Sequence, residues 1–225
     1  MKNNTKIVLT ILVLALIAIV IYFSNHEQAI TETPLPVGDN TTVTEDCATS
    51  NTCTNNFVDA KNTVSFDYNK SFIAKDDTSA PTINWRQGAK NLGVMISSIT
   101  IPKSYMPGTN FSDAHLTIGR SSNANEIKSC MTLAGNGETK DSSTTIDGNA
   151  FTKFSLEDAG AGNFYETTSY RGIVDGDCYA IEYTIHSTNI DNYPPEQGIV
   201  EFDKAKIQSE LEKMVSSVKF LNNSK

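Results

Sequence analysis

The sequence predicts an α+β fold: one antiparallel β-sheet flanked by helices, preceded by a single N-terminal transmembrane helix. Three observations predict it. Strand-like apolar and alternating runs crowd residues 63–187. An Asp175-Gly176 turn joins two of them. Two stretches carry apolar residues at helical spacing, one after Asn123 and one after Asp203.

The N-terminal helix comes first. Ile7 to Phe23 is an uncharged apolar run of 17 residues. At about 1.5 Å per residue it spans roughly 25 Å, enough for a hydrocarbon core of about 30 Å with interfacial help from Tyr22 and Phe23. Lys2 and Lys6 precede it, and no Lys or Arg follows until Lys61. That bias puts the N-terminus in the cytoplasm and the rest outside, the chain crossing the cell (inner) membrane once. A cleaved signal peptide has a shorter core and a small-residue cleavage site, whereas Ser-Asn-His-Glu-Gln follows here. No Cys ends the run, which excludes a lipoprotein anchor.

The expected organisation is a cytoplasmic N-terminus at 1–6, an anchor at 7–23, a tether at 24–56 and an extracytoplasmic domain at 57–225. The tether is rich in Thr, Asn and Pro and carries Glu27, Glu32, Asp39, Glu45 and Asp46 with no base. Such a segment buries too little apolar surface to offset its ordering entropy. The remaining length suits one domain with one core. A net charge of −8 argues against nucleic acid and anionic lipid as partners.

Four cysteines stand at 47, 53, 130 and 178. An oxidising compartment makes disulfides the default, and four cysteines allow three pairings. Cys47–Cys53 closes a tight loop, and Cys130–Cys178 then joins distant parts of the domain. Zinc bound by cysteine needs close pairs such as C-x2-C, which are absent; no metal and no cofactor are expected.

Within the domain, Thr63–Tyr68 alternates, Thr82–Trp85 is a short strand, and Leu92–Ile101 is a long apolar strand stopped by Pro102. His115–Ile118 and Gly148–Leu156 continue the sheet. Asn163–Ile173 and Cys178–Ser187 form a hairpin, because Asp-Gly tolerates positive φ. On its return strand Tyr179, Ile181, Tyr183 and Ile185 share one face, and Cys178, Ala180, Glu182, Thr184 and His186 the other. Asn123 caps a helix with Glu126 in a capping-box-like position and Ile127, Cys130, Met131 and Ala134 as its buried stripe. A second helix begins at Asp203 and buries Ile207, Leu211, Met214, Val215 and Val218. Val218–Leu221 closes the chain as a short strand.

Several strings carry a resemblance: Phe66-Asp-Tyr68, Ser104 to Ala114 (SYMPGTNFSDA), Ala159 to Asn163 (AGAGN), Cys178-Tyr-Ala-Ile181 and Ile185 to Pro195 (IHSTNIDNYPP). Together they resemble a family of uncharacterised bacterial exported or membrane-anchored proteins. The F-x-Y strand and the closing helix-then-strand also resemble PsbP-like proteins, extrinsic photosystem subunits and their bacterial relatives. That likeness implies a sheet flanked by helices and a non-enzymatic binding or assembly role; neither supplies an activity.

No nucleophile elbow, zinc-protease helix, phosphate loop or C-x-x-C occurs. Gly135-Asn-Gly137, Gly160-Ala-Gly162 and Asp175-Gly-Asp177 read as turns. Two loops are distinctive, Tyr105–Phe111 and Asn189–Pro195. Both mix aromatic, amide and Pro or Gly residues, as recognition loops do. If they meet, Tyr105, Asn110, Phe111, Asn192 and Tyr193 form one polar-aromatic binding rim. The alternative places a small hydrolase or metal-dependent enzyme on His115 and His186, with Asp113 or Glu182 as the carboxylate. The leading expectation is a membrane-tethered extracytoplasmic binding or assembly module without catalysis, engaging a protein or small-molecule partner.

Overall fold

A computed structural model describes residues 53–61, 63–76, 80–135 and 137–221. The expected anchor, most of the tether and Cys47 of the expected Cys47–Cys53 pair lie outside them. Among the described residues no helix is long and apolar enough to cross a membrane.

Among the described residues, ten strands and two α-helices follow in order: β1 (Thr54–Val58), β2 (Val64–Asn69), β3 (Ile73–Asp76), β4 (Val94–Ile101), β5 (Phe111–Ser121), α1 (Ala124–Ser129), β6 (Thr139–Ile146), β7 (Asn149–Gly160), β8 (Asn163–Val174), β9 (Asp177–Thr188), α2 (Lys204–Ser217) and β10 (Lys219–Phe220). Seven strands pair in the order β3-β4-β5-β9-β8-β7-β6, and β1-β2-β10 form a small separate sheet. Every named pairing is antiparallel. Asp175 and Gly176 take φ of 51° and 88°, as the β8–β9 turn requires.

The main core lies on one face of the large sheet. Tyr179, Ile181, Tyr183 and Ile185 of β9 pack there with Leu116 and Ile118 of β5 and Ile99 and Ile101 of β4. α2 seals this face with Ile207, Leu211, Met214 and Val215, and Val64, Phe66 and Phe220 of the small sheet complete it. Asp203 caps α2, its Oδ1 accepting from the Lys206 N–H at 3.0 Å. Glu212 ties α2 to the sheet by accepting from the hydroxyls of Tyr170 and Tyr183, each at 2.7 Å.

Among the described residues, the opposite face is covered over one half only. Residues 82–91 and α1 lie across it, with Trp85 fully buried beside the Cys130–Cys178 disulfide and Ala180. Cys130 is the C-cap of α1 and Cys178 lies on β9, so the bond joins helix to sheet as expected.

The α+β expectation is corrected here. The fold is mostly antiparallel β with few helices, and an irregular segment does much of the covering that a helix was expected to do. The expected stripe Ile127, Cys130, Met131 and Ala134 needs a helix through residue 134. α1 stops at Ser129, and Met131 is 45% exposed. Ile127 and Cys130 do pack inward against Trp85, but the residue that α1 itself fully buries is Glu126. Asn123 does cap α1, accepting from the Asn125 N–H at 2.9 Å. Glu126 turns toward residues 86–91 rather than closing a capping box. Thr82–Trp85 is a 3-10 turn with one bridge to Gly93, not a strand of the sheet.

The fit of Trp85 dictates two glycines. A Cβ on Gly93 would lie 2.5 Å from the indole, and one on Gly119 would lie 2.0 Å from the Trp85 carbonyl oxygen. The backbone cannot yield there as a flexible side chain could. Gly119→Ala is therefore expected to destabilise the domain by about 1–3 kcal/mol in denaturant unfolding, with Trp85 fluorescence shifted to the red.

Candidate functional site

Two polar assemblies occupy the second face of the sheet. The first is buried beneath the covering segment. Arg171 of β8 is fully buried and pairs with Glu138, with its Nη1 3.2 Å from Glu138 Oε2. Its Nε donates to Ser169 Oγ at 2.9 Å, and Ser169 donates onward to Glu182 Oε1 at 2.6 Å. The Gln87 N–H donates to Glu182 Oε2 at 2.7 Å, which fastens the covering segment to β9. The guanidinium also lies 4.5 Å from the Phe154 ring centroid. On the covering side Arg86 pairs with Glu126, whose Oε1 accepts from the N–H groups of Lys90 and Asn91 at 2.9 and 2.8 Å.

These environments push the two carboxyls in opposite directions. Burial raises Glu182 and outweighs the lowering by Arg171, Ser169, Gln87 and Arg86, so its pKa lies above the ordinary value. Burial also raises Glu126, but the donors on Lys90 and Asn91 and the Arg86 charge together prevail and hold it below the ordinary value.

The second assembly lies on the open half of the same face. Asp113 and His115 are two residues apart on β5, and His186 of β9 is the cross-strand neighbour of Asp113. His186 Nδ1 stands 3.3 Å from Asp113 Oδ2, and His115 Nδ1 stands 3.4 Å from Asp113 Oδ1. His186 Nε2 lies 2.9 Å from Asn163 Oδ1 at the β7–β8 turn. Tyr165 stacks on the His186 ring at 4.5 Å and 14°. The His115 side chain is 47% exposed and that of His186 20%. The histidines and Asp113 thus share one surface, whereas Glu182 belongs to the buried assembly. Among the described residues no group of three or more His, Cys, Asp or Glu side chains is placed to hold a metal ion.

The expected binding rim is divided. Phe111 is fully buried against Phe202, with centroids 5.5 Å apart. Asn110 is buried too: its Nδ2 donates to the Thr188 carbonyl at 2.8 Å and its Oδ1 accepts from the Phe202 N–H at 3.0 Å. Tyr105 packs edge-on against Phe72, with Lys206 over its ring. Asn192 Nδ2 donates to the Gly162 carbonyl at 3.3 Å, and the Tyr193 hydroxyl bonds Thr188 Oγ1 at 2.7 Å. The two loops meet at Thr188 through these bonds, which hold strand ends together. Tyr165 and Asn163 had no sequence signal; only the register of β8 with β9 sets Tyr165 beside His186.

Pockets of about 190, 210 and 270 Å3 occur among the described residues. They are smaller than the roughly 300–1,000 Å3 that encloses a small molecule. The open sheet face, where the two histidines and Asp113 lie, is the candidate site.

No family model matches the chain, and no curated protein matches it. Similar solved structures exist. One is a protein of Bacteroides thetaiotaomicron VPI-5482, at 8% identity and a TM-score of 0.43, over 76% of this chain and 49% of the other, so the chain spans about half its length. A second is the cyanobacterial PsbP (CyanoP) of Synechocystis sp. PCC 6803, at 11% identity and 0.37, over 75% of this chain and 92% of that one. A third is LpqN of Mycobacterium tuberculosis, described as involved in cell envelope biogenesis, at 7% identity and 0.34, over 75% and 90%. A PsbP protein is therefore among the structures that this chain is similar to, while the resemblance to bacterial exported proteins has no matching family.

Two outcomes follow from the buried assembly. Arg171→Ala leaves Glu138 and Glu182 without their buried counter-charge and is expected to cost about 3–5 kcal/mol in urea unfolding. Because the folded-state pKa of Glu126 is depressed, its stabilisation is present above its unfolded pKa and is lost as pH falls through the folded value. Glu126→Gln should therefore be less stable than wild type at pH 7, with the deficit shrinking below the ordinary carboxylate range.

Proposed function

We propose that the chain is a membrane-tethered, extracytoplasmic binding or assembly module without catalysis of its own, whose recognition surface is the open half of the large sheet. The observation that carries this reading is the unequal covering of the sheet. α2 and the small sheet seal one face, and the segment at 82–91 with α1 seals half of the other. The rest presents His115, His186 and Tyr165 to solvent beside Asp113, on regular strands that fix their spacing.

The uncharged run at Ile7–Phe23, the acidic tether and the disulfide-bonded domain support a single-pass anchor in the cell (inner) membrane with the domain outside. The partner is a protein or small molecule that meets this face. Tyr105, Asn192 and Tyr193 would extend the surface at one end of the sheet, with Asn110 and Phe111 supporting them from beneath. A second reading, a small hydrolase or metal-dependent enzyme, is favoured by one observation: His115 and His186 share the carboxylate of Asp113.

Topology and surface are tested together. Protease added to spheroplasts should degrade the domain while cytoplasmic proteins survive. A photocrosslinker at Tyr165 should capture a partner that one on the buried-face helix, at exposed Lys213, does not. Protection of the domain until the bilayer is dissolved would overturn the topology, and equal capture at both positions would overturn the surface.

A further inference from the structure

We infer that Asn69 is a modification site, whose side-chain amide accepts an oligosaccharide from a lipid pyrophosphate carrier on the outer side of the membrane. The inference rests on the proposal that the domain stands outside, where such transfer takes place, and adds a covalent site to it. The acceptor string is Asn-x-Ser or Asn-x-Thr with no Pro between, on a surface loop. The sequence holds five such triplets, beginning at Asn3, Asn40, Asn69, Asn110 and Asn222. The string is common, so its placement in the fold decides. Among the described residues the structure separates Asn69 from Asn110.

Asn69 ends β2, and Asn69-Lys70-Ser71 leads into β3 through a tight turn that the Phe72 N–H closes by donating to the Asn69 carbonyl at 2.9 Å. Lys70 and Ser71 are exposed and Asn69 is partly exposed. The Ser71 hydroxyl donates to Asn69 Oδ1 at 2.8 Å, and the Ser71 N–H donates to the same oxygen at 2.9 Å. The amide and the hydroxyl that a transferase must grip together therefore already lie side by side. Asp67 and Asn69 share the outer face of β2, because side chains alternate along a strand, while Phe66 is buried in the core. Transferases of the bacterial type also read an acid two residues before the asparagine. Of the five triplets only Asn69 has one, Asp67. Asp67 is exposed, with Oδ1 accepting from Asn56 Nδ2 at 2.8 Å. Acid, amide and hydroxyl thus stand together at one exposed corner.

Asn110 has the same string in the opposite setting. It is buried, and its Nδ2 is spent on the Thr188 carbonyl at 2.8 Å. The position of Asn69 suits the donor as well. The Lys70 N–H donates to the Cys53 carbonyl at 2.8 Å, so the turn lies beside the point where the chain from the N-terminal run enters the described domain. The small sheet packs Val64 and Phe66 against the core and turns Asp67 outward, so an oligosaccharide here leaves the open half of the large sheet clear. In the transfer, Asn69 Nδ2 forms a bond to C1 of the first sugar and the C1–O bond to the carrier breaks. The lipid pyrophosphate leaves with the electron pair, and one Nδ2 proton passes to a base of the membrane oligosaccharyltransferase.

The full chain, extracted in detergent from the membranes of the cells that make it, is digested and its peptides are weighed by mass spectrometry. The expected result is an oligosaccharide mass on the peptide that holds Asn69 and an unmodified Asn110 peptide. Asn69→Gln and Ser71→Ala should lose that mass, Ser71→Thr should keep it, and Asp67→Asn should lower its occupancy. Ser71 is exposed, so the Ser71→Ala and Ser71→Thr pair decides the matter if Asn69→Gln disturbs the turn. An unmodified Asn69 in a domain that protease degrades in spheroplasts would overturn the site and leave the topology standing. An unmodified Asn69 in a domain that protease cannot reach would overturn both. The same mass on Asn69 in Ser71→Ala would also overturn the inference.

Discussion

Arg171 is a guanidinium with no access to water, held at the middle of a β-sheet by Glu138, Ser169 and, through Ser169, Glu182. Burying such a charge is costly unless its donors are met. Meeting them requires Glu138 to come in from the loop that follows α1, and Glu182 in turn accepts from the Gln87 backbone. The charge at the centre of the sheet thus dictates which segments lie over it. The Cys130–Cys178 bond and the seating of Trp85 on Gly93 and Gly119 fix the same segments from the apolar side.

A covering held in this way ends where its polar partners end. Beyond Glu182 the same face of β9 continues with Thr184 and His186, and β5 contributes Asp113 and His115. These groups are polar, so they can face solvent without the cost that an apolar strand face would incur. One continuous face therefore serves two purposes. Its covered half secures the fold, and its open half presents a short row of chemically capable side chains on a rigid support.

The sequence shows the fold best where apolar periodicity is strong. The inward set of β9 and the buried stripe of α2 are legible because burial selects side chains at periods of two and about 3.6. β6 was not legible: its eight residues are almost entirely exposed, so no apolar alternation marks it. α1 misled for a related reason. Its anchor is Glu126, a charged residue drawn inward by Arg86 and two backbone N–H groups, and no apolar count reports such an attraction. The site was half legible. His115, His186 and Asp113 stood out by residue type, but their meeting depends on strand register between segments more than 70 residues apart, and the turning of Asn110 and Phe111 into the interior depends on Phe202, Thr188 and Val200.

The central claim is that the disulfide and the Arg171 assembly pin a covering to half of one sheet face while the rest of the sheet stands on its own core. Amide hydrogen exchange of the full chain beside a Cys130→Ala/Cys178→Ala variant tests it most directly. The account predicts faster exchange in residues 86–91 and 124–130, with β4, β5 and the Ile181–Ile185 stretch of β9 unchanged. Uniform acceleration across the sheet, or no change in the covering segments, would contradict it.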